Sequence, residues 1–198
     1  RAYNADYNAD WEIRTICRDD FPELLGESLE EYYRLRENMN LGDKLGLSQE
    51  LRMVFGDSLI PPAAESDLLR LNLLNKYGGV WVDSTNLCRR PLDDWLPSAA
   101  RQGFFAFFPD LQSPEHQGVP HIISSFIVSS PGHPIASAWL ARIKAHWSKS
   151  YAERPDLEYL WVNKLFRQLV GTEAEGGDLQ ARAIWDKVPK ISCEHGKK

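Results

Sequence analysis

Residues 63 to 83 constrain the fold of this chain more than any other stretch. Leucines that recur every three to four positions predict an amphipathic helix over residues 63–77. Gly78 and Gly79 predict its end, because glycine accepts the left-handed backbone found at helix C-termini. A short apolar run follows and is predicted to be a buried strand that ends on the carboxylate of Asp83. The stretch therefore predicts a helix, a tight glycine turn and a strand with an acidic end.

Helices and strands alternate along the rest of the chain. Apolar periodicity predicts further helices over residues 28–38, 48–56, 135–148 and 157–170, the first with Ser28 as its N-cap. Apolar or alternating runs predict strands over residues 11–17, 103–108 and 121–129, and Pro and Gly predict a loop over residues 109–120. We expect residues 183–191 to form a short strand or helix. This mixture predicts an α/β fold with a central sheet and helices on its faces, in which ligands bind beyond the carboxyl ends of strands.

Composition and charge exclude several functional classes. The 198 residues include 7 Trp, 7 Tyr and 8 Phe, enough aromatic residues to argue against disorder. The net charge is −5, so broad nucleic-acid binding is not expected. No apolar run reaches the roughly 20 residues that a membrane span needs. The cysteines form neither a zinc pattern nor a disulfide framework, so we expect a reducing compartment, the cytoplasm, with the membrane periphery as a further location.

The chemistry-bearing motif lies within the predicted helix, turn and strand. It consists of Ser66, Asp67 and Arg70, then Tyr77, Gly78 and Gly79, and finally Asp83, Ser84 and Thr85. This pattern resembles the capsular polysaccharide synthesis family of glycosyltransferases, related to the Asp-X-Asp sugar transferases. The resemblance spans residues 11 to 195 and implies a GT-A fold with a central mixed sheet and helices on both faces. We expect a single domain over residues 1–198, although nothing before Trp11 matches the first strand of the family.

The resemblance implies transfer of a sugar from a nucleotide-diphospho-sugar to the hydroxyl of a glycan or other acceptor. Asp67 and Arg70 lie three positions apart and project from neighbouring positions of one helix, and residues at these positions in related families contact the donor sugar. Asp83 and Arg70 are the predicted catalytic residues. The predicted donor-binding residues are Ser66, Asp67, Arg70, Tyr77, Gly78, Gly79, Asp83, Ser84 and Thr85. Ser125 and Glu158 are candidates for the acceptor side.

A divalent metal, Mn²⁺ or Mg²⁺, is the implied cofactor, because a diphosphate needs cationic help. The candidate ligands are Asp83, Thr85 and His195. Thr85 stands where the Asp-X-Asp transferases have a second carboxylate, and a neutral hydroxyl is the weaker ligand. We therefore expect weak metal binding by the free protein and a metal that arrives with the diphosphate.

Other interpretations remain open for the same residues. Asp67 and Arg70 alone would be read as a surface ion pair, and Thr85 as a turn residue. The missing first strand and Thr85 also suit a domain that binds a sugar or nucleotide without catalysis. A sugar-phosphate transferase of capsule assembly is a third possibility, whose product would contain a phosphodiester. Trp81 is most simply a core residue, and His133 a turn residue.

Overall fold

The computed structural model describes residues 8–109, 122–154 and 161–192 of the chain. Its helices are α1 (Phe21–Leu25), α2 (Leu29–Glu37), α3 (Gln49–Phe55), α4 (Pro62–Tyr77), α5 (Leu96–Ala99), α6 (Pro134–Trp147), α7 (Trp161–Leu169) and α8 (Leu179–Trp185). Its strands are β1 (Gly79–Val82), β2 (Phe104–Ala106) and β3 (Phe126–Ser129). The expected mixture of helices and strands is confirmed.

The three strands form a small antiparallel sheet in the order β1-β3-β2. Gly79 pairs with Ser129 and Val82 with Phe126, so the C-terminal end of β1 lies beside the beginning of β3. The central mixed sheet that we expected is not found in the described ranges, where both ladders are antiparallel. The parallel pairing there is an isolated bridge between Phe108 and Ser192.

The core lies where the sheet meets α4, α6 and α7. All residues of β2 and β3 are buried. Strand β3 is the central strand of the sheet, and β2 is an edge strand that the rest of the core covers. Helix α6 packs against both α4 and α7, and the rings of Trp139 and Phe166 meet edge to face with their centroids 4.8 Å apart. Aromatic pairs of this kind stabilise a core beyond the area that they bury.

Helix α4 begins and ends as the sequence predicts. Pro62 occupies its first position, where a missing backbone N–H costs nothing. Gly78 follows its last residue with φ +70°, and a Cβ there would lie 2.6 Å from Cδ of Pro131. Only glycine therefore fits this turn, which reverses the chain so that β1 packs along α4.

Two local predictions are wrong. Residues 11–17 form no strand, and Ile13 is 45% exposed. The alternation of apolar and polar residues suggested a strand, but no other strand pairs with this segment among the described residues. Ser28 makes no side-chain cap, since its backbone is helical (φ −84°, ψ −2°) and the chain passes from one helical turn directly into α2.

Several predicted boundaries move, and some predictions cannot be placed. The short strand or helix expected over residues 183–191 is helical only at residues 183–185, which form the end of α8. The predicted loop over residues 109–120 lies almost entirely outside the described residues, as do the beginnings of the predicted strand at 121 and helix at 157. Among the residues that are described, no helix has the length and apolarity needed to cross a membrane.

Candidate functional site at the end of strand β1

The structure brings Asp67, Arg70 and Asp83 together, as the helix–turn–strand pattern predicts. Asp67 and Arg70 lie one turn apart on α4, and Asp83 follows the last residue of β1. Nη2 of Arg70 lies 3.2 Å from Oδ1 of Asp67 and 3.5 Å from Oδ1 of Asp83. One guanidinium therefore serves two carboxylates that come from different elements.

The guanidinium of Arg70 is held from several sides. Nη2 also donates to the hydroxyl of Ser66, 3.2 Å away, and Nη1 donates to the carbonyl of Ser124, which precedes β3. The side chain is only 4% exposed. Its Nε is buried and has no hydrogen-bond partner among the described residues, an uncommon state for a charged donor.

Asp67 and Asp83 differ in their surroundings. The side chain of Asp67 is 9% exposed and that of Asp83 is 32% exposed. Burial raises the pKa of Asp67 to about 6; the positive charge of Arg70 opposes this rise, and the negative charge of Asp83 adds to it. A carboxyl group with such a pKa changes its charge close to neutral pH, and perturbed groups of this kind cluster at functional sites.

Asp83 is fixed by its backbone and by one of its carboxylate oxygens. Its backbone N–H donates to the carbonyl of Ser125 at 2.9 Å. Its Oδ1 accepts a hydrogen bond of 2.6 Å from the indole Nε1 of Trp81. A turn follows, in which the backbone N–H of Asn86 donates to the carbonyl of Asp83 and the Asn86 amide donates to Ser125. Asp83 therefore stands at a braced corner of the fold with one side open to solvent.

The other predicted site residues occupy different positions around this corner. Ser84 and Thr85 are exposed on the turn after Asp83. Tyr77 is half-exposed at the far end of α4, where its hydroxyl donates to the carbonyl of Leu24. Gly78 and Gly79 form the turn, and Ser125 contributes its backbone carbonyl. Glu158 and His195 lie outside the described residues.

The described residues offer few ligands to a metal ion. None of them form a group of three or more His, Cys, Asp or Glu side chains suited to hold one. Of the predicted metal ligands, Asp83 and Thr85 are at least partly exposed on the turn that follows β1. This set fits a cation that brings most of its own oxygen ligands, as a diphosphate complex does.

A separate hollow of about 310 Å³ lies between the end of α2 and α3. Its lining residues are Glu37, Asn40, Asp43, Gln49, Arg52, Met53, Gly56, Asp57 and Ile60, and none of them belongs to the predicted site. The corner at Asp83 does not share this hollow.

Two side chains have roles that sequence reasoning did not assign. Trp81 is only half-buried, and besides bonding Asp83 its ring lies under the guanidinium of Arg70, 5.4 Å from Cζ. Its position two residues before Asp83 on a strand is the signal that predicts a shared face. His133 caps α6, because its Nδ1 accepts from the backbone N–H of Ile135 and its Nε2 lies 3.0 Å from the carbonyl of Gln102.

Comparison with known proteins identifies the family. The family model described as capsular polysaccharide synthesis protein matches residues 29–185, from α2 to α8. The chain belongs to this family. No curated protein and no solved structure matches it. Because the match includes α4, β1 and the corner at Asp83, the site lies within the part that defines a capsular polysaccharide synthesis protein, and membership indicates a role in capsule synthesis.

Proposed function

We propose that this capsular polysaccharide synthesis protein is a glycosyltransferase with a GT-A-like fold, which moves a sugar from a nucleotide-diphospho-sugar to an acceptor hydroxyl. The observation that carries the proposal is the convergence of Asp67, Arg70 and Asp83 at the end of β1. A carboxylate that is braced from behind and open in front suits the hydroxyl groups of a sugar ring or a cation beside a diphosphate.

The reaction breaks the bond between the anomeric carbon and the diphosphate oxygen, and the diphosphate leaves with the electron pair. The acceptor oxygen bonds to the anomeric carbon and its hydroxyl proton passes to a base or to solvent. Positive charge develops on the sugar and negative charge on the leaving group. Fixed charges that meet developing charges of opposite sign are the main source of stabilisation in such a step.

The three charged residues have different parts in this proposal. Asp83 contacts the donor directly, since it is the most exposed of the three. Arg70 is buried and its contacts among the described residues are with the chain itself, so it acts on the donor chiefly through the two carboxylates that it holds. Direct contact of Arg70 and Asp67 with the sugar stays a prediction, as do the acceptor-side roles of Ser125 and Glu158.

A divalent metal would be held by Asp83 and the Thr85 hydroxyl, with the diphosphate completing its ligands. Such a metal supplies neutralisation of the charge on the leaving diphosphate. His195 remains a predicted further ligand. With so few protein oxygens, affinity for the metal alone is expected to be weak.

Donor binding without transfer is a second candidate function. It is favoured by the internal pairing of Arg70, whose donors are largely used within the chain, and by Thr85 in place of a carboxylate. Such a domain would present the same corner to a nucleotide sugar but release it unchanged.

Calorimetric titration with a panel of UDP- and GDP-sugars, with and without Mn²⁺, tests the proposal. A transferase binds at least one of them and slowly hydrolyses it when no acceptor is present. Binding without hydrolysis or transfer to any offered acceptor favours the second candidate. A protein that binds none of the panel contradicts both.

A further inference from the structure

We propose that Trp81 is a positioning residue of this site: its indole N–H holds Oδ1 of Asp83, so that Oδ2 is the oxygen presented to the ligand. The inference rests on the proposed function, because the ligand concerned is the nucleotide-sugar donor or its metal. It adds a residue that the donor-site prediction does not contain.

The two oxygens of Asp83 are used differently. Oδ1 accepts the 2.6 Å hydrogen bond from Trp81 and also faces Nη2 of Arg70 at 3.5 Å. No described residue donates a hydrogen bond to Oδ2. Since the side chain is 32% exposed, Oδ2 can accept a hydrogen bond from a hydroxyl group of the ligand or bind a cation. Asp83 is therefore arranged to act through one oxygen.

The strand sets this arrangement. Residues two apart on a strand project from the same face, so the indole of Trp81 and the carboxylate of Asp83 lie side by side. The same indole ring lies beneath the guanidinium of Arg70, with Cζ 5.4 Å from its centroid. Trp81 thus contacts both partners of the ion pair, and cation–π attraction helps to keep Arg70 in place.

Other tryptophans of the chain show what a purely structural indole does here. Trp139 is fully buried and its Nε1 donates to the backbone carbonyl of Val162 at 3.1 Å. Trp11 donates to Oδ1 of Asp93, also at 3.1 Å, but this pair is exposed and neither residue belongs to the predicted site. The contact of Trp81 is shorter, and it falls on the acid that the motif singles out. Trp11 is consequently a matched control, with the same donor and acceptor types outside the site.

The key variants are Trp81→Phe, which keeps a ring beneath Arg70 but removes the N–H, and Trp11→Phe. A third protein carries benzothienylalanine at position 81, which replaces the indole N–H by sulfur with little change of shape. Loss of a residue that orients a ligand-binding group typically lowers ligand affinity by about 10- to 100-fold. We expect this loss for both position-81 variants with the best-bound member of a panel of UDP- and GDP-sugars in Mn²⁺, and wild-type affinity for Trp11→Phe.

A second readout needs no ligand. In protein labelled with ¹⁵N-tryptophan, the indole signal of Trp81 is the one that Trp81→Phe removes. Asp83→Ala should shift this signal strongly and leave the Trp11 signal in place. A Trp81 signal that does not respond to Asp83→Ala overturns the proposal.

The outcomes separate this inference from the proposed function. Donor affinity that is unchanged in both position-81 variants overturns the role of Trp81 and leaves the transferase proposal standing. A wild-type protein that binds no nucleotide sugar overturns both. Weaker donor binding in both position-81 variants supports the positioning role if both remain folded. The measure of this is a melting temperature within a few degrees of that of Trp11→Phe.

Discussion

Arg70 on α4 and Asp83 after β1 lie 3.5 Å apart, from Nη2 to Oδ1, although a reversal of the chain separates them in sequence. The contact exists because the Gly78–Gly79 turn sends β1 back along α4. Arg70 is buried, whereas Asp83 is partly exposed. The arginine is therefore a fixed counter-charge beneath an acid that a ligand can reach.

Replacing Arg70 by Lys should damage the site although the charge is kept. Lysine lacks the planar fork with which Arg70 reaches Asp67, Asp83 and the carbonyl of Ser124 together. We expect donor affinity to fall by about tenfold or more, because a charged hydrogen bond contributes roughly 1.5–3 kcal/mol. Titration calorimetry measures it. The control is Arg34→Lys, because Arg34 is exposed and its ion pair with Glu31 spans 4.0 Å. Equal donor affinity in the Arg70→Lys and Arg34→Lys variants would refute the role of the planar fork.

The charge of Asp67 should make stability depend on pH in a particular direction. Burial raises the pKa of Asp67 from 3.8 to about 6, so the folded protein binds this proton more tightly than the unfolded chain. Stability from this group is complete below pH 3.8 and is lost as the pH rises through about 6. Each pKa unit corresponds to about 1.4 kcal/mol. As the pH rises across this window, the unfolding free energy of wild type should therefore fall by on the order of 3 kcal/mol relative to that of Asp67→Asn.

Urea unfolding of wild type and Asp67→Asn between pH 4 and pH 7 measures this difference. The absolute gap at one pH also contains the altered contact with Arg70, so the change of the gap with pH is the informative quantity. A gap that stays constant over the whole range would show that Asp67 does not titrate as its burial requires.

Much of this site follows from local sequence, and the rest does not. Asp67, Arg70 and Asp83 could be predicted because the helix, the glycine turn and the strand fix their relative positions within one short stretch. The Ser124 carbonyl that receives Nη1 of Arg70 comes from a distant part of the chain, and a backbone group carries no residue signature. Trp81 carried the right spacing, but a tryptophan in a strand is more often a core residue.

The sheet was harder to predict than the convergence of Asp67, Arg70 and Asp83. The alternation at residues 11–17 shows which side chains could share a face, but it does not show which strand would pair with them. In the structure this segment is held by side chains instead: Trp11 bonds Asp93, and Arg14 pairs with Glu23. Sheet size and strand direction depend on pairing between distant segments, which local sequence does not show. The sequence therefore predicted a central mixed sheet, whereas the described strands form a small antiparallel one.

The two glycines of the turn should respond differently to alanine. Both have positive φ, +70° at Gly78 and +92° at Gly79, so a side chain is strained at either. That strain costs roughly 1–2 kcal/mol. A Cβ at Gly78 would also collide with Pro131 at 2.6 Å, whereas nothing lies within 4 Å of one at Gly79. Gly78→Ala should therefore destabilise by about 1–3 kcal/mol more than Gly79→Ala, because overpacking adds to the strain. Equal unfolding free energies would contradict the packing of the turn against Pro131.

His133 should behave as a neutral helix cap. Burial lowers the pKa of His133 below its ordinary value of 6.5, and a proton on Nδ1 would abolish the bond from Ile135. Because the unfolded chain takes up this proton at higher pH than the folded protein, stability falls as the pH drops below about 6.5. Asparagine also caps helices but does not titrate here, so His133→Asn should show a flatter profile in urea unfolding from pH 8 to pH 5. Parallel profiles would count against this role.

The most direct test of the account is hydrolysis of a nucleotide sugar by wild type, Asp83→Asn and Asp93→Asn. Both aspartates accept an indole N–H, from Trp81 and Trp11 respectively, so the two variants are matched in chemistry and differ in location. We predict that wild type and Asp93→Asn hydrolyse at least one UDP- or GDP-sugar in Mn²⁺, and that Asp83→Asn loses at least about 100-fold in rate while it remains folded. Wild-type rates in Asp83→Asn would contradict the central claim.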